Sequence, residues 1–412
     1  MLEDPARADA AIDALAEGAF AFLERLVSER STVGEESGAQ AVVAAELERL
    51  GFAVDLLEVP ESIGDDPLAG VPQTAYAGRP VVVGRLAGGE GPALLCNAHV
   101  DVVPAGTPEL WATPPFRPER RDGWMYGRGA GDMKCGFAMV LLAVEALRRA
   151  EPGALRGSLV FVSAIEEECT GNGTLASLRA GVSADAVLLP EPTDLELLVG
   201  GAGVLWCDFA VAGHAGHAHS ATGHSNPILA CLAIVAELQR LERELNDARA
   251  EGEERCVVNV GTVEGGDWRS SAPTGARLGV RVGFPSGWDA ATAQRAVHSA
   301  LDRATSAPSW PTAASVTLTF PGFRAVGYAL DPQHALVRGL TDAHEAVHGN
   351  RPRPFRLAST TDARHYLNDY GLPALCYGPR VRNIHGIDEA VELASIVAGA
   401  RTLTRFIPAF MT

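Results

Sequence analysis

His99, Asp132, the run Glu166-Glu167-Glu168, Glu191 and His385 place imidazole and carboxylate groups at wide intervals along the chain, each at the end of an apolar run or in a loop or glycine-rich turn. Oxygen and nitrogen donors without clustered thiolates suit zinc, cobalt or manganese, and a pair of such ions can ionise a bound water at neutral pH. The set therefore has the composition of a two-metal hydrolytic site.

Each member has its own local logic. In LLCNAHVD, residues 94–101, positions two apart on a strand share a face, so Asp101 can hold the ring of His99 while that ring binds metal. A core histidine beside a turn aspartate has the same spelling. Cys96 lies three positions before His99 and faces the other way on a strand, so the two should not share an ion. In YGRGAGDMKCG, residues 126–136, small residues let the backbone turn sharply and present the single carboxylate of Asp132. A nucleotide-loop reading of that stretch lacks the dinucleotide fingerprint, and Lys134 is not in a phosphate-loop context. Glu166, Glu167 and Glu168 follow an apolar run; a solvated acidic loop is the ordinary explanation, but after a buried strand adjacent carboxylates suit one metal ligand and one base. Glu191 stands between Pro190 and Pro192, which restrict its backbone. His385 sits in a loop over 377–389 that leads into the final helix.

The elements that must position these groups alternate in the first half. Helices are expected over 39–50 and 135–149, and strands over 52–59, 80–86, 93–98, 158–164 and 184–189, the pattern of an α/β sheet with crossover helices. His99, Glu167, Glu168 and Glu191 fall just past strand ends, where open α/β sheets hold their ligands. From about residue 204 the texture changes. Runs over 204–212, 257–263 and 276–284 alternate as half-buried strands, with a long helix over 227–248. A helix over 335–347 and a strand over 374–377 return to the first pattern. The fold class is thus α/β, a catalytic unit of 1–202 and 321–412 with a mostly parallel central sheet and flanking helices, interrupted by an inserted α+β unit of 203–320.

Composition narrows the function. The chain has 412 residues, 47% of them hydrophobic, more than a single core usually organises. No apolar run reaches membrane-spanning length, and the acidic, amphipathic N-terminus lacks the basic start of a secretory signal and reads as a first helix. A net charge of −17 without a basic stripe argues against nucleic acid or an anionic membrane as partner. Seven scattered cysteines fit a reducing cytoplasm better than a disulfide framework.

Taken together, the ordered set H-x-D, G-x-G-D-M-K, E-E-E, E-P-T and a C-terminal histidine resembles the dinuclear zinc hydrolases that include aminoacylase, acetylornithine deacetylase, succinyl-diaminopimelate desuccinylase and glutamate carboxypeptidase. The resemblance runs over nearly the whole chain. It implies that Asp132 bridges two divalent metal ions, zinc first and cobalt or manganese as alternatives. His99 and Glu191 would complete one ion, Glu168 and His385 the other. Glu167 matches the general base and Asp101 the residue that orients the first histidine, and the bond after Asp132 is often cis in the family.

In the inserted unit, VAGHAGHAH over 211–219 is similar to the family's G-x-x-x-H-A segment, with His217 at the position of a histidine that reaches the partner subunit's active site. His214, His219 and His224 compete for that role. Ser270 replaces a frequent family asparagine, Arg281 occupies a carboxylate-binding position, and Thr360 belongs to a loop similar to one that touches substrate. The resemblance thus implies a homodimeric, metal-dependent amidohydrolase that removes the acyl group from a small N-acyl amino acid or related N-acyl amine. A dipeptidase or carboxypeptidase with the same site is the nearest alternative, and a non-catalytic metal-binding scaffold the alternative from another class.

Overall fold

A computed structural model describes residues 2–220, 226–250 and 252–412. The N-terminal segment forms the helix Pro5–Ser28, capped by the Asp4 side chain, which accepts from the backbone of Ala6 and Arg7. The helix Lys134–Ala150 is apolar on nearly every side and correspondingly buried. It packs against Pro5–Ser28 and the C-terminal helix Leu393–Phe410.

The main sheet has nine strands. Its centre is parallel: Gly157–Ala164, Gly91–His99, Ala186–Leu189 and Ala374–Cys376 lie side by side in that order. Towards the margins, Val81–Leu86 and Ala53–Leu57 on one side and Leu197–Gly201 on the other join by antiparallel pairing. The central strands read as unbroken apolar runs because they are covered on both faces. The α/β architecture is the one expected.

A second sheet, wholly antiparallel, takes Val258–Gly265, Gly275–Phe284, Gly203–Ala212 and Ser315–Thr319 in that order. Leu205, Cys207, Phe209, Leu278, Val280 and Val282 belong to its own apolar cluster, separate from that of the main sheet. Helices Pro227–Asp247 and Ala290–Ser306 pack against this sheet. The latter was not anticipated, although Ala293, Val297, Ala300 and Ala304 form one buried stripe at helical spacing.

One correction matters for the site. The loop expected over 377–389 contains the short strand Val381–Arg382, and Ala390–Glu392 follows it. These pair with each other, and Ala390–Glu392 pairs with Trp124–Tyr126 just ahead of the glycine-rich turn. His385 and Asp132 are thereby tied to one four-stranded sheet.

Candidate active site

Three neighbouring parallel strands deliver their following residues to one place. His99 ends Gly91–His99, Glu167 and Glu168 follow Gly157–Ala164, and Glu191 follows Ala186–Leu189. Asp132 comes from the turn that opens Lys134–Ala150, and its bond to Met133 is cis, as the resemblance implied. Gly136 allows this helix to approach the Glu191 loop, since a Cβ there would stand 2.2 Å from the Pro190 carbonyl oxygen. His385 and Glu166 both have φ of 60°, a left-handed conformation uncommon for such residues and concentrated at functional sites.

Asp132 divides its carboxylate between two histidines. Its Oδ1 lies 3.4 Å from His99 Nε2 and its Oδ2 3.4 Å from His385 Nε2. Glu168 Oε1 is 3.0 Å from the same His385 nitrogen. Glu167 Oε2 is 3.9 Å from His99 Nε2. His99, Asp132 and Glu168 each present a donor atom, all within 4.8 Å of one another. One carboxylate facing two imidazoles from its two oxygens, with a further acid beside each, is a donor set that fits a pair of hard-to-borderline divalent ions.

The charges are arranged to be neutralised by cations. Burial opposes protonation of His99, but hydrogen bonding to Asp132 and the charges of Asp101, Glu167 and Glu191 outweigh it and hold the ring protonated well above the usual range. For His385 burial is likewise overridden, chiefly by Glu168 and Asp132, which push its pKa up to about 11. Burial lifts Glu191 to about 8, partly countered by His99 and reinforced by Asp132 and Glu168. Glu167 is pushed up in the same way, first by burial, with Asp362, Glu191 and Glu168 adding to it against the pull of His99.

Asp101 holds His99 differently from expectation. Nδ1 of His99 lies 2.9 Å from the main-chain oxygen of Asp101 and 3.6 Å from the nearer carboxylate oxygen. The carboxylate instead accepts the backbone N–H groups of Glu167 at 3.1 Å and Glu168 at 3.0 Å.

Several supports were not recognised in the sequence. Glu389 Oε1 accepts the backbone N–H groups of Gly131 and Asp132, while its other oxygen pairs with the buried Arg128 guanidinium. Arg128 also donates to the Gly386 carbonyl at 3.1 Å, next to His385. This pair therefore joins the turns that carry Asp132 and His385. Behind the glutamate run, Arg79 pairs with Glu36 and Glu166, and Tyr76 donates to Glu166, so that the first of the three glutamates turns away into the interior. Asp362, buried, accepts from Thr174 Oγ1 at 2.5 Å. Arg128 and Glu389 both sit in motifs noted above, but 261 positions separate them and no spacing rule connects them.

A cavity of about 700 Å³ opens on Glu167, Glu168 and His385 and extends to Arg281, Trp206 and Thr360. Arg281 donates to the main-chain oxygens of Val257 and Ala358. Burial depresses its pKa, and among the described residues no carboxylate pairs with it. The other expected contacts lie elsewhere. Ser270 lines a separate hollow beside Ile228 and Trp268, and its carbonyl accepts from Ala218. His217 is on the exposed two-residue strand Gly216–His217, paired with Ser271–Ala272, and its Nδ1 is 2.8 Å from that of His219. His214 is exposed in the loop that precedes this strand, and His224 lies outside the described residues.

The model of the peptidase family M20/M25/M40 matches residues 95–409. Among curated relatives, a succinyl-diaminopimelate desuccinylase of Methylorubrum extorquens is 30% identical over 389 residues, covering 92% of this chain and 94% of that protein. An N-formyl-4-amino-5-aminomethyl-2-methylpyrimidine deformylase of Bacillus subtilis is 28% identical over 395 residues, covering 90% and 88%. Among solved structures, the dipeptidase Dug1p of Saccharomyces cerevisiae superposes with a TM-score of 0.83 at 16% identity, over 100% of this chain and 99% of its own, a similarity of fold.

Proposed function

The chain belongs to the peptidase family M20/M25/M40 and is a metal-dependent hydrolase of amide bonds, and from that premise we propose that it removes the acyl group from an N-acyl amino acid. The observation that carries this reading is the Asp132 carboxylate shared between His99 and His385, with Glu167 beside it, in a cavity whose Arg281 has no acidic partner among the described residues.

His99, Asp132 and Glu191 would hold one zinc ion and Asp132, Glu168 and His385 the other. Bound there, the ions would supply Lewis acidity and a water that ionises near neutral pH. Glu167 takes a proton from the attacking water and returns it to the leaving nitrogen, a task suited to a carboxyl whose pKa burial raises above the ordinary carboxylate range. Asp101 keeps Glu167 and Glu168 aimed by fixing their backbone. Arg281 offers a cation for the free carboxylate of the substrate, which positions the amide without entering the bond cleavage.

In this reading residues 1–202 and 321–412 form the catalytic unit, and 203–320 a lid through which two copies associate in the cytoplasm. Support for association comes from the strand Val258–Gly265, an edge of its sheet with Val260 and Val263 exposed, and from exposed Leu229 and Leu232 on the neighbouring helix. His217 and Ser270, set away from the cavity of their own chain, would serve the partner's site. Among the described residues no helix is long and apolar enough to cross a membrane.

The test is a panel of N-formyl, N-acetyl and N-succinyl amino acids, their carboxamides, and dipeptides, offered to zinc-loaded protein. Metal-dependent release of the amino acid from the acyl series, with the carboxamides much poorer, is the expected result. Preference for dipeptides moves the assignment to a peptidase, and equal rates on acids and carboxamides remove Arg281 from substrate recognition.

A further inference from the structure

The second sheet turns one face to its helices and the other to the active-site cavity. On the cavity face, Trp206 stands directly across from Arg281 in the strand register, and Asn259 stands on the other side of Arg281. The row is therefore an amide, a guanidinium and an indole, on strands spaced by about 4.8 Å.

The indole is held in place from several directions. Phe323 meets it edge to face, with ring centroids 5.5 Å apart at 89°, and the backbone N–H of Trp206 donates to the Phe323 carbonyl at 3.3 Å, which fixes the two main chains beside each other. Gly322 has φ of 62°, and a Cβ there would stand 2.4 Å from indole Cε3. The main chain can lie against the benzo ring only because that residue has no side chain. Phe323 is itself backed by the buried guanidinium of Arg364, 5.6 Å from its ring centre. Trp206 nevertheless keeps part of its surface open, and both it and Phe323 line the cavity that contains Glu167 and His385. An aliphatic residue would satisfy simple packing here. A rigid indole beside a guanidinium that, among the described residues, faces no carboxylate is suited to a ligand with a flat π ring next to a carboxylate.

We propose that Trp206, fixed by Phe323 and Gly322, is a specificity determinant that selects substrates bearing an aromatic or heteroaromatic ring adjacent to the carboxylate held by Arg281. The inference rests on the reading of this cavity as the site for an N-acyl amino acid, and it names which amino acids are preferred. Ring stacking with suitable geometry adds a modest, directional gain to area burial, so the preference over a saturated ring of equal size should be roughly 2- to 13-fold.

The experiment compares N-acetyl-L-phenylalanine with N-acetyl-L-cyclohexylalanine, which has nearly the same shape without the π system. Binding of each to zinc-loaded Glu167→Gln protein is measured by calorimetry, so that the readout does not depend on turnover. The aromatic ligand should bind roughly 2- to 13-fold more tightly. Trp206→Leu in that background should bring the ratio close to one, Trp206→Phe should restore much of it, and Phe323→Leu should lower it part of the way. Equal binding of the two ligands to the parent protein overturns the proposal, and so does a ratio that survives Trp206→Leu. Should Trp206→Leu fail to fold, Phe323→Leu decides alone: a lowered ratio upholds the proposal, and an unchanged one overturns it. Ring discrimination without any hydrolysis by the Glu167 protein would uphold the subsite and defeat the deacylase reading, which keeps the two failures apart.

Discussion

His99 directs Nδ1 at the main-chain oxygen of Asp101, 2.9 Å away, and not at its carboxylate, 3.6 Å away. The carbonyl of a strand end thus fixes the tautomer of His99 and leaves Nε2 for the cavity, while the carboxylate is free to cap the two glutamates that follow the adjacent strand.

Asp101→Asn should therefore leave His99 oriented but replace one acceptor oxygen with an amide that cannot accept from a backbone N–H. The expected result is a roughly 10- to 100-fold fall in kcat, with metal content per chain unchanged. Kinetics alongside metal analysis checks it. Loss of metal with kcat per bound metal unchanged would place the role of Asp101 at the ligand and not at the glutamates.

The Arg128–Glu389 pair joins the two turns that carry Asp132 and His385. Both side chains are almost completely buried, so removing one leaves an uncompensated charge, at a cost of about 3 to 5 kcal/mol. Glu389→Ala should lower the thermal midpoint and weaken zinc binding together, whereas Asp122→Asn, which removes an exposed charge but suits the left-handed turn of the same small sheet, should change neither. Calorimetric melting and zinc titration measure both. An unchanged zinc affinity in Glu389→Ala would show that the pair serves stability alone.

Metal binding should release protons. Without ions, the acids hold His99 and His385 protonated, the latter to about pH 11, and burial holds Glu191 protonated to about pH 8. Metal ligands must be deprotonated, so at pH 7 these protons leave as zinc enters, and affinity rises with pH until the groups have already lost them. Titrating zinc into chelator-treated protein in buffers of different ionisation heat gives the number released. A pH-independent affinity between pH 6 and 8 would contradict this electrostatic picture.

The candidate site residues were legible because His99, Glu167, Glu168 and Glu191 follow apolar runs, and runs of that kind become adjacent parallel strands. Asp132 announced itself by the small residues around it. The geometry that joins them was not legible. Nothing in the spelling of Arg128 or Glu389 pairs residues 261 positions apart, and the role of the Asp101 carbonyl depends on a main-chain direction that composition does not encode. The two- and three-residue strands beside His385 are too short to carry a periodic signal. Ala290–Ser306 was missed because its buried stripe is mostly alanine, too weakly apolar to stand out from its surroundings.

His217 and Ser270 share a ribbon that lies apart from the cavity of their own chain. If the partner's site receives His217, mixing inactive His217→Ala and Glu167→Gln chains should recover activity, up to about a quarter of the parental rate for random pairing, since half the dimers are mixed and each of these has one intact site of two. Sedimentation should show a dimer at assay concentration. Full activity from a monomer would refute the arrangement.

In the proposed mechanism Glu167 is the proton carrier beside a metal pair held around Asp132. The most direct test is the turnover of Glu167→Gln at verified full zinc occupancy, on whichever N-acyl amino acid the parent hydrolyses best. The account predicts two zinc ions per chain, as in the parent, and a kcat lower by roughly a hundred- to ten-thousand-fold. A variant that retains both ions and turns over at near the parental rate would contradict it.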